Sequence, residues 1–357
     1  MSARTYNIVL LGLLACFLAV VIHLVVTQEP VSGDLTRVGG LAEHDFGWRG
    51  QKARFDPELV RYRKPGQPVA SAQVLVIGDS FSHQSGHGFG WQNHFIARTG
   101  LDLLVYHLRG QPADKLLSDP AIRRHPPKLV IYQSAELSLP DHLPRYPGDC
   151  TLPEQRRWAP LPVHPVPYRS KVYERRTTWG GEMKPRIDQA MHVIKLNGFW
   201  NTSPARIRLL PLTRGDLFSS RDPTLLVYGY DVPADDWRSL EIEKMACGLR
   251  NLKTFVEREL GAPFVVLYAP GKLSAYSGYV AGARPSFAGF IPALIERSGI
   301  AAPEVRDRLM QASAAGSRDV YLPNDSHWGE TGHRIAADAL YDFLRSTGLI
   351  RADAAAP

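Results

Sequence analysis

The chain has 357 residues, of which 44% are hydrophobic, an ordinary value for a folded protein with one large domain or two smaller ones. Its formal net charge of +7 is compatible with anionic partners such as phospholipid head groups, acidic polysaccharide or nucleic acid. It is equally compatible with a basic surface that binds none of them. Because no zinc-finger, basic-zipper or RNA-recognition signature is present, we expect no nucleic-acid partner.

The first predicted element is an apolar helix. Ile8 to Val26 reads IVLLGLLACFLAVVIHLVV, an uncharged run about as long as a bilayer core is thick. Arg4 on its short N-terminal side favours a cytoplasmic N-terminus and places the chain after Val26 on the other side. The run is not followed by a clear small-x-small cleavage site, which favours an uncleaved anchor over a removed signal peptide. We therefore predict a cytoplasmic stub and single-pass anchor over residues 1–27, and a linker that leads into the domain over residues 28–72.

Five short apolar runs predict strands that are buried on both faces, because none of them alternates cleanly with polar residues. These runs are Gln73–Ser80, Leu101–Leu108, Lys128–Glu136, Pro263–Pro270 and Asp319–Pro323. Helical patterns with apolar stripes alternate with them, most clearly at 237–260 and 333–346. This alternation predicts an α/β domain over residues 73–350, with a mostly parallel sheet covered by helices. Its ligand crevice is expected at the carboxyl ends of the strands.

A long insertion at about 140–236 interrupts the alternation with Pro, Arg and aromatic residues. It is too long for an ordinary connection and too aromatic for disorder, so we expect an ordered segment over or beside the crevice. The alternative is a Pro-stiffened cover whose aromatic side chains pack inward. Candidates for stacking on sugar rings and pairing with carboxylates are Trp158, Trp179, Trp200, Arg156, Arg157, Arg175 and Arg176.

The chain has three cysteines, and Cys16 lies within the apolar run. LLAC at Leu13–Cys16 weakly resembles a lipoprotein processing site, but the apolar run continues well beyond it. Cys150 and Cys247 lie in the part predicted to be exported, where an oxidising compartment would favour a disulfide. The alternative is two separate buried thiols, since Cys247 lies on an apolar helix face.

Ser80 is a candidate nucleophile because it ends a Gly-Asp-Ser sequence after the first predicted strand. A serine hydroxyl needs a base, usually a histidine that a carboxylate orients. Asp325 and His327, in LPNDSHWGETGH after the last predicted strand, supply such a pair. A helix that begins near Gly329 would lower the pKa of His327 and keep it neutral. The alternative for Ser80 is a helix N-cap, which would leave the Asp-His pair unexplained.

Two further groups of residues deserve comparison with this pair. His83, His87 and His94 come near metal-ligand spacing, but two glycines would break a helix there, so we expect no metal. The sequence also gives no sign of a cofactor. Lys272 follows a predicted strand in APGK, where it would either meet an anionic substrate or lie on the rim of the crevice.

Gly-Asp-Ser after the first strand and Asp-x-His-Trp after the last together resemble the SGNH (GDSL-type) hydrolase superfamily. The chain is most similar to the exported branch of alginate and exopolysaccharide O-acetyltransferase-like proteins, over about residues 74–344 outside the insertion. The segments that carry the resemblance are GDSFS (Gly78–Ser82), HLRGQ around Gly110, LVIYQSAELSL at the third block, VLYAPGK (Val266–Lys272) and YLPNDSHWGETGH. The resemblance implies a three-layer SGNH-type fold in which Ser80 is the nucleophile, His327 the base and Asp325 the carboxylate that orients it.

The same resemblance assigns the backbone N–H groups of Ser80 and Gly110 to an oxyanion hole. The Asn of the third block is replaced in YQSAEL, so Gln133 or Ser134 becomes the candidate for a third donor. Trp328 is most simply a packing residue that fixes the His327 loop. The residues that we carry forward as tentative substrate contacts are Lys272, Trp328, Trp158 and Arg157.

The function implied by the resemblance is acyl transfer through an acyl-serine, most simply acetyl-serine, resolved by a sugar hydroxyl or by water. We expect an O-acetyltransferase of an exopolysaccharide, anchored in the inner membrane with its C-terminal domain in the periplasm. A carbohydrate O-acetylesterase is the alternative, and a non-catalytic polysaccharide-binding or assembly subunit is a further one. The resemblance also implies a multi-spanning membrane acyltransferase as acyl donor.

Overall fold

The computed structural model describes residues 2–27, 32–50, 52–63, 71–83, 88–108, 113–152, 156–173, 207–231, 241–282 and 290–352, together with residues 187, 190 and 191. Several residues singled out from the sequence lie outside these ranges, namely His87, Gly110, Arg175, Arg176, Trp179 and Trp200.

The described elements alternate much as the sequence predicts. The strands are β1 (Lys52–Phe55), β2 (Arg61–Tyr62), β3 (Val74–Gly78), β4 (Leu103–His107), β5 (Leu129–Ala135), β6 (Leu161–Val163), β7 (Ser170–Tyr173), β8 (Ile207–Leu210), β9 (Leu225–Tyr228), β10 (Phe264–Ala269) and β11 (Ile350–Ala352). The helices are α1 (Ala3–Thr27), α2 (Asp34–Gly39), α3 (Glu43–Phe46), α4 (Trp91–Thr99), α5 (Ala113–Leu117), α6 (Pro120–Arg124), α7 (Leu139–His142), α8 (Ile242–Glu259), α9 (Lys272–Tyr276), α10 (Ile291–Ser298), α11 (Val305–Ala314) and α12 (Glu330–Ser346).

A parallel sheet of five strands, in the order β10-β5-β3-β4-β2, forms the centre of the domain. Four of its strands are those predicted from the sequence. The prediction of a strand at Asp319–Pro323 is wrong, because this segment forms only an isolated bridge between Tyr321 and Trp328. Its backbone bonds elsewhere: the N–H of Asp319 donates to Leu217 and that of Leu322 to His327, so the chain folds back on itself. The fifth strand is instead β2.

Helices cover both faces of this sheet, which makes the domain mixed α/β. Along β3, Val74 and Val76 belong to a core that α4, α11 and α12 complete on one face. Leu75 and Ile77 belong to a second core, completed by α8 and α10 on the other. All four side chains are almost fully buried, and each such burial contributes about 1.5–3 kcal/mol. Burial on both faces explains why the strand sequences do not alternate.

Helix α1 lies at the N-terminus and carries the apolar run. Its stretch Ala3–His23 is long and apolar enough to cross a membrane, and none of it is buried in the protein. A helix whose apolar side chains all face outward is typical of a lipid-facing segment rather than of a core helix. The predicted apolar helix is therefore present, and it ends at Thr27, four residues after His23.

The described parts of the insertion form strands that pair outside the central sheet. Strand β6 pairs in parallel with β11, and β7 pairs with β1. Strands β8 and β9 form an antiparallel pair that leads into a short turn, Gly229–Asp231. That turn borders the cavity described below, so within the described residues the insertion reaches the crevice at residues 141–142 and 228–231.

Cys150 and Cys247 form a disulfide, with their Cα atoms 4.5 Å apart. It connects the first part of the insertion to α8 across 97 residues of sequence. Asn251 reinforces the junction, since its Oδ1 accepts the N–H of Cys150 at 3.1 Å. The pairing favoured by the sequence is thus present, and it closes most of the predicted insertion into a loop.

We predict that the double variant Cys150→Ser/Cys247→Ser unfolds more easily by about 2–5 kcal/mol, because a loop of this length restricts the unfolded chain. Urea unfolding of the detergent-solubilised chain, followed by circular dichroism, measures the difference. Cys16→Ser is the matched control, since Cys16 lies exposed on α1 outside the domain. A double variant as stable as this control would contradict a stabilising role of the disulfide.

Candidate active site

Ser80 lies in a turn immediately after β3, at the carboxyl edge of the sheet, and is exposed. The turn needs a glycine at its start. A Cβ on Gly78 would come within 2.5 Å of Ser82 Oγ and 2.8 Å of Gln133 Oε1, closer than real Cβ contacts allow. Ser80 is followed by a turn rather than by a helix in the described residues 79–83, so it does not act there as the N-cap that the alternative interpretation required.

Asp79 fixes this turn on the neighbouring strand. Its Oδ1 accepts the N–H of Phe81 at 3.0 Å, and its Oδ2 accepts the N–H of Ala135 at 2.5 Å. The side chain is only 8% exposed. Asp79 therefore stabilises the Ser80 turn through two backbone bonds, which leaves Ser80 free to point into the cavity.

His327 and Asp325 complete a hydrogen-bonded chain with Ser80. His327 Nε2 lies 2.7 Å from Ser80 Oγ, and its Nδ1 lies 2.6 Å from Asp325 Oδ1. The backbone N–H of His327 also donates to Asp325 Oδ1 at 3.0 Å. Two segments 247 residues apart in sequence thus place an alcohol, an imidazole and a carboxylate in the order that nucleophilic catalysis by serine requires.

The pKa values of this pair shift in opposite directions. Burial lowers the pKa of His327, but the hydrogen bond and charge of Asp325, with smaller contributions from the charges of Asp34 and Asp79, raise it above its usual value. Burial raises the pKa of Asp325, but the hydrogen bond and charge of His327 lower it to a net value below the ordinary range. Helix α12 does begin directly after Gly329, yet the expectation of a lowered pKa for His327 is wrong, because the net shift is upward through the bond and charge of Asp325.

Lys272 supports the loop that carries His327 from within the domain. Its Nζ donates to the carbonyl oxygens of Leu322, Pro323 and Asp325 at 2.7, 2.9 and 3.1 Å, and the residue is 2% exposed. Burial lowers its pKa to about 7 despite the nearby carboxylates. Lys272 borders the cavity beside Ser80, but its contacts favour a supporting role in the loop over contact with an anionic substrate. All three of its N–H groups already bind the loop.

Trp328 also belongs to the support of the loop and not to a substrate site. It is fully buried, with its ring 4.8 Å from Phe81 and 5.5 Å from His333 between centroids. The tentative assignment of Trp328 as a substrate contact is corrected accordingly. Its packing on Phe81, whose ring also lies 4.7 Å from that of His327, holds the Ser80 turn and the His327 loop together.

Gln133 does not line the cavity, so its tentative assignment as an oxyanion donor is corrected. It is fully buried in β5, and its Oε1 accepts a hydrogen bond from Ser82 Oγ at 2.6 Å. Ser134, the other candidate, lies 3.4 Å from His142 Nδ1 through its Oγ. Gly110 lies outside the described residues, so the backbone N–H of Ser80 is the candidate oxyanion donor that remains within them.

Trp158 and Arg157 lie elsewhere, and their assignment as substrate contacts near Ser80 is wrong. They line a separate cavity of about 540 Å³ with Phe264, which begins strand β10. Parallel strands begin at one edge of a sheet and end at the other, so this cavity is at the edge opposite Ser80. Strand β6, which follows Trp158 closely in sequence, pairs with β11.

Of the histidines with near metal-ligand spacing, His83 adjoins the Ser80 turn, since its backbone N–H donates to the carbonyl oxygen of Ser80 at 3.3 Å, and His94 lies in α4. The ring of His83 contacts Tyr62 and His107, whereas the ring of His94 contacts Phe55. Burial lowers the pKa of His94 to about 4. Within the described chain, the acidic and histidine side chains close enough to hold a cation are Asp34, Asp325 and His327. Their atoms already bond one another or the loop, so we assign no ion to them.

The cavity beside Ser80 has a volume of about 440 Å³, and part of its lining comes from residues that the sequence did not single out. Tyr228 and Tyr230, from the end of β9 and the turn after it, stack with ring centroids 4.9 Å apart and planes 9° from parallel. Asp141 and His142 form another part of the lining, and Asp34 a third. None of these residues stands in a recognisable motif, so the sequence offers no signal for them beyond their residue types.

Asp34 belongs to α2, which packs directly on the loop that carries Asp325 and His327. The N–H groups of Leu35 and Thr36 donate to the carbonyl oxygen of Asn324 at 3.1 and 3.3 Å. Gly33 makes this approach feasible, because a Cβ there would lie 2.0 Å from the same oxygen. Residues between the apolar helix and the domain are therefore part of the site.

Comparison with protein-family models, with curated proteins and with solved structures finds no match for this chain. The chemical interpretation of the site therefore depends on its own geometry.

We predict that Gly33→Ala displaces the loop and lowers the free energy of unfolding by about 1–3 kcal/mol, as overpacking typically does. Labelling of Ser80 by a fluorophosphonate should slow as well, because His327 moves with Asn324. Gly278→Ala is the matched control, since a Cβ there would meet open space. Thermal unfolding and the labelling rate measure both effects, and equal behaviour of the two variants would contradict the close packing of α2 on the loop.

Proposed function

We propose that this protein is a serine-dependent acyl-transfer enzyme of the SGNH type, with Ser80 as nucleophile, His327 as base and Asp325 as the carboxylate that orients it. The observation that carries the proposal is the continuous hydrogen-bonded chain from Ser80 Oγ through both nitrogens of His327 to Asp325 Oδ1. It lies at the carboxyl edge of a parallel sheet, where α/β domains bind their ligands. A structural role for Ser80 alone would not require this alignment.

The first step forms an acyl-serine. Ser80 Oγ attacks the carbonyl carbon of an acyl ester while His327 Nε2 accepts the hydroxyl proton, and Asp325 stabilises the resulting imidazolium. The N–H of Ser80 is the candidate donor to the oxyanion that forms, and loss of such a donor typically costs about 2.7–4 kcal/mol of transition-state stabilisation. The intermediate collapses when the imidazolium returns its proton to the departing alkoxide.

The second step transfers the acyl group to an acceptor hydroxyl. The acceptor gives its proton to His327 Nε2 as it attacks the acyl carbon, and Ser80 Oγ leaves and recovers a proton from the same imidazolium. Both steps use one base in turn. The position of His327 between a nearly buried Asp325 and an exposed Ser80 suits this shuttle.

A polysaccharide is the acceptor that we propose, with acetyl as the acyl group and an exopolysaccharide O-acetyltransferase as the preferred activity. The stacked pair Tyr228 and Tyr230 supports a sugar acceptor, because Tyr230 is 68% exposed at the cavity and offers a flat apolar surface to a sugar ring. The resemblance of the GDSFS and DSHW segments to exopolysaccharide acetyltransferases supports the same choice.

The position of α1 supports action beside a membrane. Asp34 in the site lies seven positions after Thr27, the end of α1, and seven residue steps span at most ~25 Å. If α1 crosses the inner membrane with its N-terminus in the cytoplasm, Ser80 works in the periplasm close to the bilayer surface. A multi-spanning membrane acyltransferase would be a suitable acyl donor there.

A carbohydrate O-acetylesterase is the second candidate, and it differs only in the acceptor of the second step. Ser80 is exposed, so water reaches an acyl-serine there as readily as a sugar hydroxyl does, and this favours the esterase. A non-catalytic polysaccharide-binding or assembly subunit would have no need for the contact of Ser80 with His327.

We predict that the full-length protein releases p-nitrophenol from p-nitrophenyl acetate and that Ser80→Ala lowers kcat/KM by at least about 10³-fold, because the nucleophile is lost. The matched control is Ser118→Ala, which removes an exposed hydroxyl at the end of α5. Equal rates for wild type and Ser80→Ala would eliminate Ser80 as the nucleophile.

We further predict that oligosaccharide acceptors yield acetylated product detectable by mass spectrometry. Tyr230→Ala should lower the ratio of transfer to hydrolysis by about 2–10-fold, the loss expected for one aromatic contact, whereas Tyr230→Phe should retain it. Release of acetate without any acetylated sugar, across neutral and acidic oligosaccharides, would favour the esterase.

A further inference from the structure

The carboxylate of Asp34 binds the residue between Asp325 and His327. Its Oδ1 accepts the backbone N–H of Ser326 at 2.8 Å, and its Oδ2 accepts the Ser326 hydroxyl at 2.6 Å. Tyr228 donates its hydroxyl to the same Oδ2 at 2.9 Å. Ser326 is therefore held by two bonds to one side chain, which fixes the backbone from which both neighbouring catalytic side chains project.

The backbone of Asp34 acts on the triad itself. Its N–H donates to Asp325 Oδ2 at 3.1 Å, whereas Asp325 Oδ1 accepts from His327. Each oxygen of the Asp325 carboxylate thus has its own donor, so the carboxylate cannot rotate without losing one of them. This arrangement keeps Oδ1 directed at the imidazole.

A second contact, between Glu43 and Asn324, connects the segment after the apolar helix to the loop one residue before Asp325. Glu43 is fully buried, and its Oε1 accepts from the Asn324 side-chain amide at 2.5 Å while its Oε2 accepts from Thr36 at 2.7 Å. Together with Asp34, Glu43 binds three successive loop residues, Asn324 to Ser326. Contacts to three consecutive loop residues hold this segment in place, which the covalent connection of the chain alone would not do.

We propose that Asp34 is a positioning residue of the active site: it holds Ser326 and Asp325 so that the imidazole of His327 faces Ser80, and its negative charge stabilises the protonated imidazole. The segment that directly follows the apolar helix is then an integral part of the catalytic centre. This inference deepens the proposed function and depends on it.

The charges around Asp34 determine the sign of its effect. The titratable groups that face it from the packed elements are Asp325, His327, Tyr228, Tyr230, Asp231 and Lys272. Burial raises the pKa of Asp34, as does the charge of Asp325, whereas bonds from Ser326 and the charge of His327 lower it, and the net shift is upward. In return, the charge of Asp34 is one of the causes that raise the pKa of His327.

The pH dependence of activity follows from this sign. His327 must be neutral to accept the Ser80 proton, so kcat/KM rises with pH through the pKa of His327. A carboxylate that stabilises the imidazolium raises this pKa and moves the acidic limb of the profile to higher pH. Removal of the Asp34 charge should therefore move the limb to lower pH.

The test is Asp34→Asn in the full-length protein, because asparagine keeps an oxygen for the Ser326 N–H but carries no charge. We expect the acidic limb of p-nitrophenyl acetate hydrolysis to move down by about 1 pH unit and the kcat plateau to fall about tenfold, with KM nearly constant. Asp34→Ala removes both contacts and should lower the plateau further. Asp45→Asn is the matched control, since it makes the same change in α3, where Asp45 is exposed and bonds His44.

A second measurement separates this inference from the proposed function. Proteins labelled with ¹³C-histidine, with His327 assigned through His327→Gln, report the imidazole titration by NMR whether or not turnover occurs. Asp34→Asn should lower the pKa of His327, and Asp45→Asn should not. If the wild type hydrolyses no ester, the proposed function fails while the titration still tests Asp34. If Asp34→Asn changes neither the titration nor the kinetic limb and plateau, Asp34 has no positioning role.

Discussion

The hydrogen bond between His327 and Ser80 is the constraint on which the rest of the site depends, because it joins two turns that no regular secondary structure connects. Ser80 is rigidly placed at the end of a central strand. His327 lies on the loop Leu322 to Trp328, which is held in place by contacts with the residues packed around it. Lys272 holds this loop from within the domain, and Trp328 is packed in the core at its end. Residues 32–43 also hold the loop, through the bonds of Glu43 with Asn324 and of Asp34 with Ser326.

These supports have an energetic cost. Burying Lys272 and Glu43 away from water is unfavourable unless each charge is fully hydrogen-bonded. Lys272 meets that requirement with three loop carbonyls, and Glu43 with Ser32, Thr36 and Asn324. Stability alone does not require these buried charges, since apolar residues of similar volume often stabilise a protein as well or better. It defines one conformation of the loop, which a catalytic contact requires.

The sequence predicted those parts of the fold that local patterns encode. Four central strands follow from short, continuous apolar runs and helix α12 from an apolar stripe of helical period, and both patterns form buried elements in almost any compact arrangement. Asp319–Pro323 has the same composition as a strand but pairs with no other strand, because its backbone bonds Leu217 and its own loop. Composition does not reveal which carbonyl a backbone N–H will bond, so the strand prediction was wrong for this segment.

The residue types of Ser80, Asp325 and His327, with their positions after apolar runs, were sufficient in the sequence to propose a reaction class. Their alignment within hydrogen-bond distance, and the roles of Asp34, Lys272 and Tyr230, were decided by tertiary structure. Local hydrophobicity and spacing act over a few residues, whereas the contact between Asp34 and Asp325 joins positions 291 residues apart. Such a contact depends on the path of the whole chain, because only the folded sheet and its helix layers bring the first part of the domain against its last loop.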